Sequence, residues 1–241
     1  MSCLDADLTE VTDGGSKCTK CLIFISRCVG CKCQNCPQSG GQANSQGRNS
    51  NKVLNPPLVF VIDTTKSVKP DKDSIFNLTM RVTDRIMKDN INIPRFQLIS
   101  FNDYGREINR NVQLEIDTDD VRAFAKKTAG LVFESFDGGR DSRERLTQGL
   151  LVALQNAPER SLIVVFTDNG TKDLNLEREI VRMKKSKNIE VFIVLTPAYE
   201  GRFNGPDLPA YGRMGKVFLI NEVGADSFLR DVEVFEENNC L

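Results

Sequence analysis

Leu58-Val59-Phe60-Val61-Ile62-Asp63-Thr64-Thr65-Lys66-Ser67 is an apolar run that stops at a carboxylate and then offers three hydroxyls. Leu, Val, Phe and Ile without a polar interruption from 58 to 62 predict a strand covered on both faces, because a half-exposed strand would alternate apolar with polar residues. Strands of that kind belong to parallel sheets, and in open parallel sheets ligands bind just beyond the carboxyl ends of the strands. Asp63, Thr65 and Ser67 stand at that place. A carboxylate followed by hydroxyls two and four positions later supplies hard oxygen donors, the chemistry that Mg²⁺ prefers.

Downstream, helical and strand patterns alternate. Ile75, Leu78, Val82 and Ile86 recur at the spacing of a helix with one buried face, and Pro70 and Asp71 stand where its start is expected. Phe96 to Phe101 predicts a second strand, Asn111 to Ile116 a short edge strand, and the span from Thr118 to Leu131 a short amphipathic helix. The clearest helix carries Leu146, Gly149, Leu150, Ala153, Leu154 and Ala157 on one stripe, with Gly149 placed for close approach to a strand. Leu162 to Phe166 is the next buried strand, and the chain reaches Asp168 just past its end, much as the first strand reaches Asp63. Leu176, Ile180 and Met183 mark another helix and Val191 to Leu195 another strand. Residues 197–214, with Gly201, Gly205, Pro206 and Pro209, read as a long irregular loop, followed by a strand over Val217 to Ile220 and a helix over Ala225 to Val234. Strands alternating with helices imply right-handed crossovers. The expected fold is therefore α/β, a Rossmann-like, doubly wound, mostly parallel sheet of six strands with helices on both faces.

Three stretches resemble one family. Asp63-x-Thr65-x-Ser67 after a hydrophobic strand is similar to the D-x-[ST]-x-S signature that opens the metal-ion-dependent adhesion site (MIDAS) of von Willebrand factor A (VWA) domains. Gly138-Gly139-Arg140-Asp141 resembles the loop that adds another metal-site residue, and Phe166-Thr167-Asp168-Asn169-Gly170 the loop whose Asp completes the site. The run from Gly138 to Asp173, with Ser100-Phe101-Asn102-Asp103, is most like the hemicentin-type branch, and order and spacing agree over about residues 53 to 236. The resemblance implies strand order 3-2-1-4-5-6, which makes the first and fourth strands neighbours. It brings Asp63 and Asp168, about 105 positions apart, to one crevice. It further implies that Asp63, Thr65, Ser67, Asp141 and Asp168 surround one Mg²⁺ (or Mn²⁺ or Ca²⁺), directly or through water. A position stays open for an acidic side chain of a partner protein, so the metal is a binding bridge and the protein is no enzyme. Many members carry Gly where Lys66 stands. A cation there either weakens metal binding by repulsion, reserves the site for an acidic ligand, or points into solvent. Glu144 reads as an acceptor behind the metal ligands or an exposed helix charge, and Asp173 as a helix cap.

Composition narrows the remaining classes. The chain has 241 residues and a net charge of −1, with five Lys or Arg against four Asp or Glu in residues 1–50 and 27 against 29 in the rest. No basic run offers a footprint for nucleic acid or anionic membrane. Histidine is absent, which removes Ser-His-Asp and Cys-His catalysis and histidine metal ligands. No stretch approaches the roughly 18 apolar residues of a membrane span, and no signal peptide is visible at Met1-Ser2-Cys3-Leu4-Asp5.

The sequence expects a Cys-rich segment at 1–36, a flexible linker at 37–51 poor in apolar residues, and the VWA domain at 52–238. Cys18, Cys21, Cys28, Cys31, Cys33 and Cys36 form three C-x-x-C pairs, with Cys3 and Cys240 apart. Four thiolates could bind Zn²⁺, although the gap from Cys21 to Cys28 is shorter than the about 15–20 residues of the usual ribbon. A disulfide cluster and reduced or lipid-modified thiols are the alternatives, and the compartment decides among them. An extracellular adhesion module follows from the family resemblance. An intracellular scaffold joining a zinc knuckle to a VWA domain is the second reading. A phosphate-directed, metal-dependent hydrolase is the third, disfavoured because no G-x-x-x-x-G-K-[ST] or G-x-G-x-x-G loop occurs. Asn77-Leu78-Thr79 and Asn169-Gly170-Thr171 are N-glycosylation sequons, and the second, beside Asp168, is expected to be unmodified.

Overall fold

The computed structural model describes residues 55–103, 111–133, 143–196 and 207–220. The cysteines, Asp141 and the helix expected over Ala225 to Val234 lie outside them. Six strands build the main sheet: β1 (Leu58–Asp63), β2 (Phe96–Phe101), β3 (Val112–Thr118), β5 (Leu162–Thr167), β7 (Glu190–Leu195) and β8 (Lys216–Leu219), in the order β3-β2-β1-β5-β7-β8. All neighbours are parallel except β2 and β3, which run antiparallel with a register shift between Leu98 and Ile99. Counted along this sheet alone, the order is the expected 3-2-1-4-5-6. Two short strands, β4 (Arg143–Glu144) and β6 (Gly170–Thr171), pair separately above the strand ends.

The uninterrupted apolar runs have a direct cause. Successive side chains of a strand point to opposite faces, and both faces of this sheet are covered. Leu58, Phe60 and Ile62 enter one core with Ile75, Leu78, Val82 and Ile86 of α1 (Lys72–Lys88) and Phe124 of α2 (Val121–Ala129). Val59 and Val61 enter the other, with Leu146, Leu150, Ala153 and Leu154 of α3 (Leu146–Asn156), Ile180 of α4 (Glu177–Ser186) and Tyr211 and Met214 of α5 (Asp207–Met214). In the first core the ring of Phe60 lies 5.3 Å from that of Phe124 and 6.2 Å from that of Phe166, so aromatic packing spans the two central strands and a helix.

Local signals explain the element ends. Pro70 sits at the start of a 3₁₀ turn, Lys69–Asp71, that leads into α1, where its missing N–H has no bond to lose. The Asp120 side chain accepts from the Arg122 N–H and caps α2. Asn90 and Asn188, just past α1 and α4, take the left-handed conformation that asparagine tolerates at helix ends. Gly149 approaches β2 as expected: a Cβ there would sit 3.1 Å from ring carbons of Phe101. One expectation is corrected. Residues 207–214, within the span read as a loop, form α5; Pro209 occupies its first turn, where proline is tolerated, and Ala210, Tyr211 and Met214 bury one face.

Candidate metal centre

The site begins where β1 and β5 end side by side. Ile62 is level with Phe166, so Asp63 closes one strand and Asp168 lies just past the end of the other. Both residues are fully buried. Beyond Asp63 the chain turns back on that carboxylate: Asp63 Oδ1 accepts from the Thr65 N–H at 3.0 Å and from Thr65 Oγ1 at 2.7 Å, an arrangement that the two-residue spacing makes available to aspartate. Thr167 Oγ1 donates to Asp63 Oδ2 at 3.1 Å. Ser67 Oγ lies 3.1 Å from Thr65 Oγ1 and donates to Asp168 Oδ1 at 3.1 Å, joining residues 101 positions apart. Of the five expected metal-site residues, Asp63, Thr65, Ser67 and Asp168 therefore form one hydrogen-bonded group, and Asp141 lies outside the described residues. Lys66 is exposed.

Other side chains, which the sequence left unassigned or read differently, complete the surroundings. Asn169 Nδ2 donates to Asp168 Oδ1 at 2.9 Å and to Ser67 Oγ at 3.2 Å, while its N–H donates to Thr167 Oγ1 at 3.3 Å. Asn102 Nδ2 donates to the Thr64 carbonyl at 3.1 Å, and Thr64 Oγ1 to the Phe101 carbonyl at 3.0 Å, which ties the first loop to the end of β2. Glu144 is not an exposed helix charge. It lies in β4, 7% exposed, held over the site by pairing with β6, and its Oε2 has no hydrogen-bond partner among the described residues. Asp103, also buried, pairs with Lys172 and with Arg145 at 3.4 Å. Asp173 stands at the start of a 3₁₀ turn, Leu174–Leu176, without a side-chain capping bond; burial raises its carboxyl above the usual range.

The electrostatics follow from burying several carboxylates together. Loss of hydration and then the neighbouring Asp168 charge push the Asp63 carboxyl up to about 7, against the lowering effect of the Thr65 and Thr167 hydrogen bonds. Burial, followed by the charges of Asp63, Asp103 and Asp168, pushes Glu144 up to about 9, with Lys172 acting in the opposite direction. A divalent cation fits this donor set. It would offset the lost hydration and the repulsion that together hold Asp63 and Glu144 high, and Glu144 Oε2 is a buried oxygen in want of a partner. Among the described residues no three carboxylates group closely enough to hold a metal without other donors. Among the described residues, the hydroxyls of Thr65 and Ser67 are the further oxygen donors beside the two carboxylates.

Of these residues, Glu144 had a signal in its position three residues after Asp141; Asn169 and Thr167 flank Asp168 in the stretch that resembles the third metal loop, where only the Asp was given a role. Tyr211, which donates to the Asn169 carbonyl at 2.9 Å across 42 positions, had none.

The architecture and its parallel switch point are shared with solved proteins. The chain is similar to proximal thread matrix protein 1 from the mussel byssus, with a TM-score of 0.53 and 11% identity over 78% of this chain and 48% of that one. It is also similar to the structure of that protein described as having a zinc-occupied MIDAS motif, with a TM-score of 0.51 and 12% identity over 76% of this chain and 48% of the other. The chain thus matches about half the length of these neighbours, and at such identity the likeness is one of fold. No curated protein matches the sequence. Among the described residues no helix is long and apolar enough to cross a membrane. Residues 57–208 match the von Willebrand factor A domain family, and with well over half its length inside that match the chain belongs to it.

Proposed function

We propose that this protein is a metal-dependent interaction module that captures an acidic side chain of a partner protein through a divalent cation at Asp63, Thr65, Ser67, Asp141 and Asp168. The observation that carries this reading is the convergence of two fully buried carboxylates, Asp63 and Asp168, with the Thr65 and Ser67 hydroxyls at one pair of strand ends. Glu144 joins the proposed set as a further oxygen facing the same charge cluster. When bound, the cation supplies an electrophilic position open to an outside carboxylate, as expected of Mg²⁺, which keeps several waters and few direct carboxylates. Thr65 and Ser67 contribute dipoles without charge and leave that electrophilicity in place. Asn102 and Thr64 brace the loop that presents them. Mg²⁺ is proposed first, with Mn²⁺ and Ca²⁺ as its oxygen-preferring substitutes. The zinc in the MIDAS motif of the byssus neighbour places Zn²⁺ among the ions to test. An extracellular, matrix-type setting is proposed from the hemicentin-like sequence features and from the byssus thread neighbours.

Thermal unfolding in EDTA, and with each cation added, tests the reading. A cation that binds only the folded state at about 100 times its dissociation constant adds roughly 2.7 kcal/mol. The wild type is expected to shift upward with Mg²⁺ or Mn²⁺, and Asp63→Ala and Asp168→Ala are expected not to. A wild type that shows neither a shift nor calorimetric binding would sink the proposal.

A further inference from the structure

We propose that Tyr211, on α5, is a positioning residue for the metal centre: its hydroxyl fixes the Asn169 peptide and thereby the direction in which Asp168 and Ser67 present their oxygens. This inference rests on the metal-binding reading above and adds an element with no place among the expected ligands. Asn169 is the hub of the site. Its side-chain amide bonds Asp168 Oδ1 and Ser67 Oγ, and its N–H bonds Thr167 Oγ1, which in turn bonds Asp63 Oδ2. A shift of the Asn169 backbone as a whole would disturb contacts to both carboxylates and one hydroxyl of the proposed cation set. Tyr211 donates to the Asn169 backbone carbonyl at 2.9 Å, which Thr167 Oγ1 also approaches at 3.5 Å.

The bond is built to be rigid. Tyr211 is completely buried, and its ring is packed in the core that contains Leu146, Leu150 and Ile193, so the hydroxyl has a fixed origin. One helical turn earlier, the Asp207 carboxylate lies against Gly170, where a Cβ would collide with it, so glycine leaves room for that side chain beside the loop. On the far side, Thr147 Oγ1 at the start of α3 meets Thr171 Oγ1 at 2.9 Å and donates to the Asp173 carbonyl at 3.0 Å. The segment from Asp168 to Asp173 is thus gripped between α5 and the start of α3. Hydrogen-bond partners standing behind metal ligands typically change affinity about 10–100-fold when removed.

The test compares full-length wild type, Tyr211→Phe, which removes one oxygen, and Met214→Ala, which damages the same helix in the core without touching the loop. Mn²⁺ affinity is measured by calorimetry and stability in EDTA by thermal unfolding. Tyr211→Phe is expected to bind Mn²⁺ at least tenfold more weakly. Met214→Ala, although less stable, is expected to keep wild-type affinity within about twofold. A purely structural role would move affinity in neither variant, or in both in proportion to lost stability; either result overturns the proposal. If Tyr211→Phe does not fold, amide exchange of the wild type decides. Protection gained on adding Mn²⁺ by both 168–171 and 207–214 supports the coupling, and protection confined to 168–171 overturns it. Failure of the wild type to bind Mn²⁺ removes the metal reading itself along with this one, whereas equal affinities for wild type and Tyr211→Phe leave that reading standing.

Discussion

Asp63 is the residue at which folding and binding pull against each other. Its folded carboxyl titrates at about 7 against an ordinary 3.8, so the protonated form is the one the metal-free fold prefers. Stability from this group is fully present below about pH 4 and is lost as pH rises through about 7. In EDTA the unfolding temperature is therefore expected to fall between about pH 4 and pH 7, and the upward shift produced by added Mg²⁺ to grow over the same interval, as scanning calorimetry across pH would show. Asp63→Asn keeps the shape and removes the charge. It is expected to unfold at higher temperature than wild type in EDTA at pH 8, and to lose the metal-induced shift. The five-position motif was legible because its spacing is local: Thr65 and Ser67 lie on the same turn as Asp63, and the contact with Thr65 forms across two residues. The burial of Glu144 was not legible, because it depends on the pairing of two-residue strands at 143–144 and 170–171 that no periodicity announces.

Helix α3 shows how an element is held from outside itself. Its last carbonyls cannot find intrahelical donors, and Lys187, just past the end of α4, places its ammonium on those of Leu154, Gln155 and Ala157 at 2.7, 3.1 and 2.9 Å. A cation at a helix carboxyl end also meets the favourable end of the dipole. Lys187→Met, which keeps the aliphatic stem, is expected to lower stability by about 1–2 kcal/mol in urea titration, with no change in metal affinity. On the buried stripe of the same helix, Gly149→Val would press methyl groups into the Phe101 ring and is expected to cost about 1–3 kcal/mol. The stripe containing Gly149 was readable because a helix repeats its buried face every turn. Helix α5 was not, because Pro209, with Gly201, Gly205 and Pro206 before it, carries the marks of a loop; a proline in a first turn is compatible with eight helical residues once Tyr211 and Met214 have a core to enter.

At the scale of the whole molecule, the doubly wound sheet does one thing that bears on function: it sets β1 beside β5, so that two aspartates far apart in the chain arrive at a common edge. The sequon at Asn169 lies in that edge, 2% exposed and with its amide engaged. A glycan there is incompatible with the folded site, and peptide mapping of protein made in a glycosylating host is expected to find Asn169 unmodified. The sequence by itself determined the alternation of strands and helices, the two-sided burial of the central strands and the identity of the opening carboxylate and hydroxyls. Each of these is written in spacings of a few residues, where backbone geometry alone fixes what neighbours what. Only the tertiary structure decided that Glu144 is buried above the carboxylates, that Asn169 ties Asp168 to Ser67, and that α5 closes on the loop through Tyr211 and Gly170. Those contacts join residues up to 102 positions apart, and whether they form depends on how layers pack, a property that no local pattern encodes.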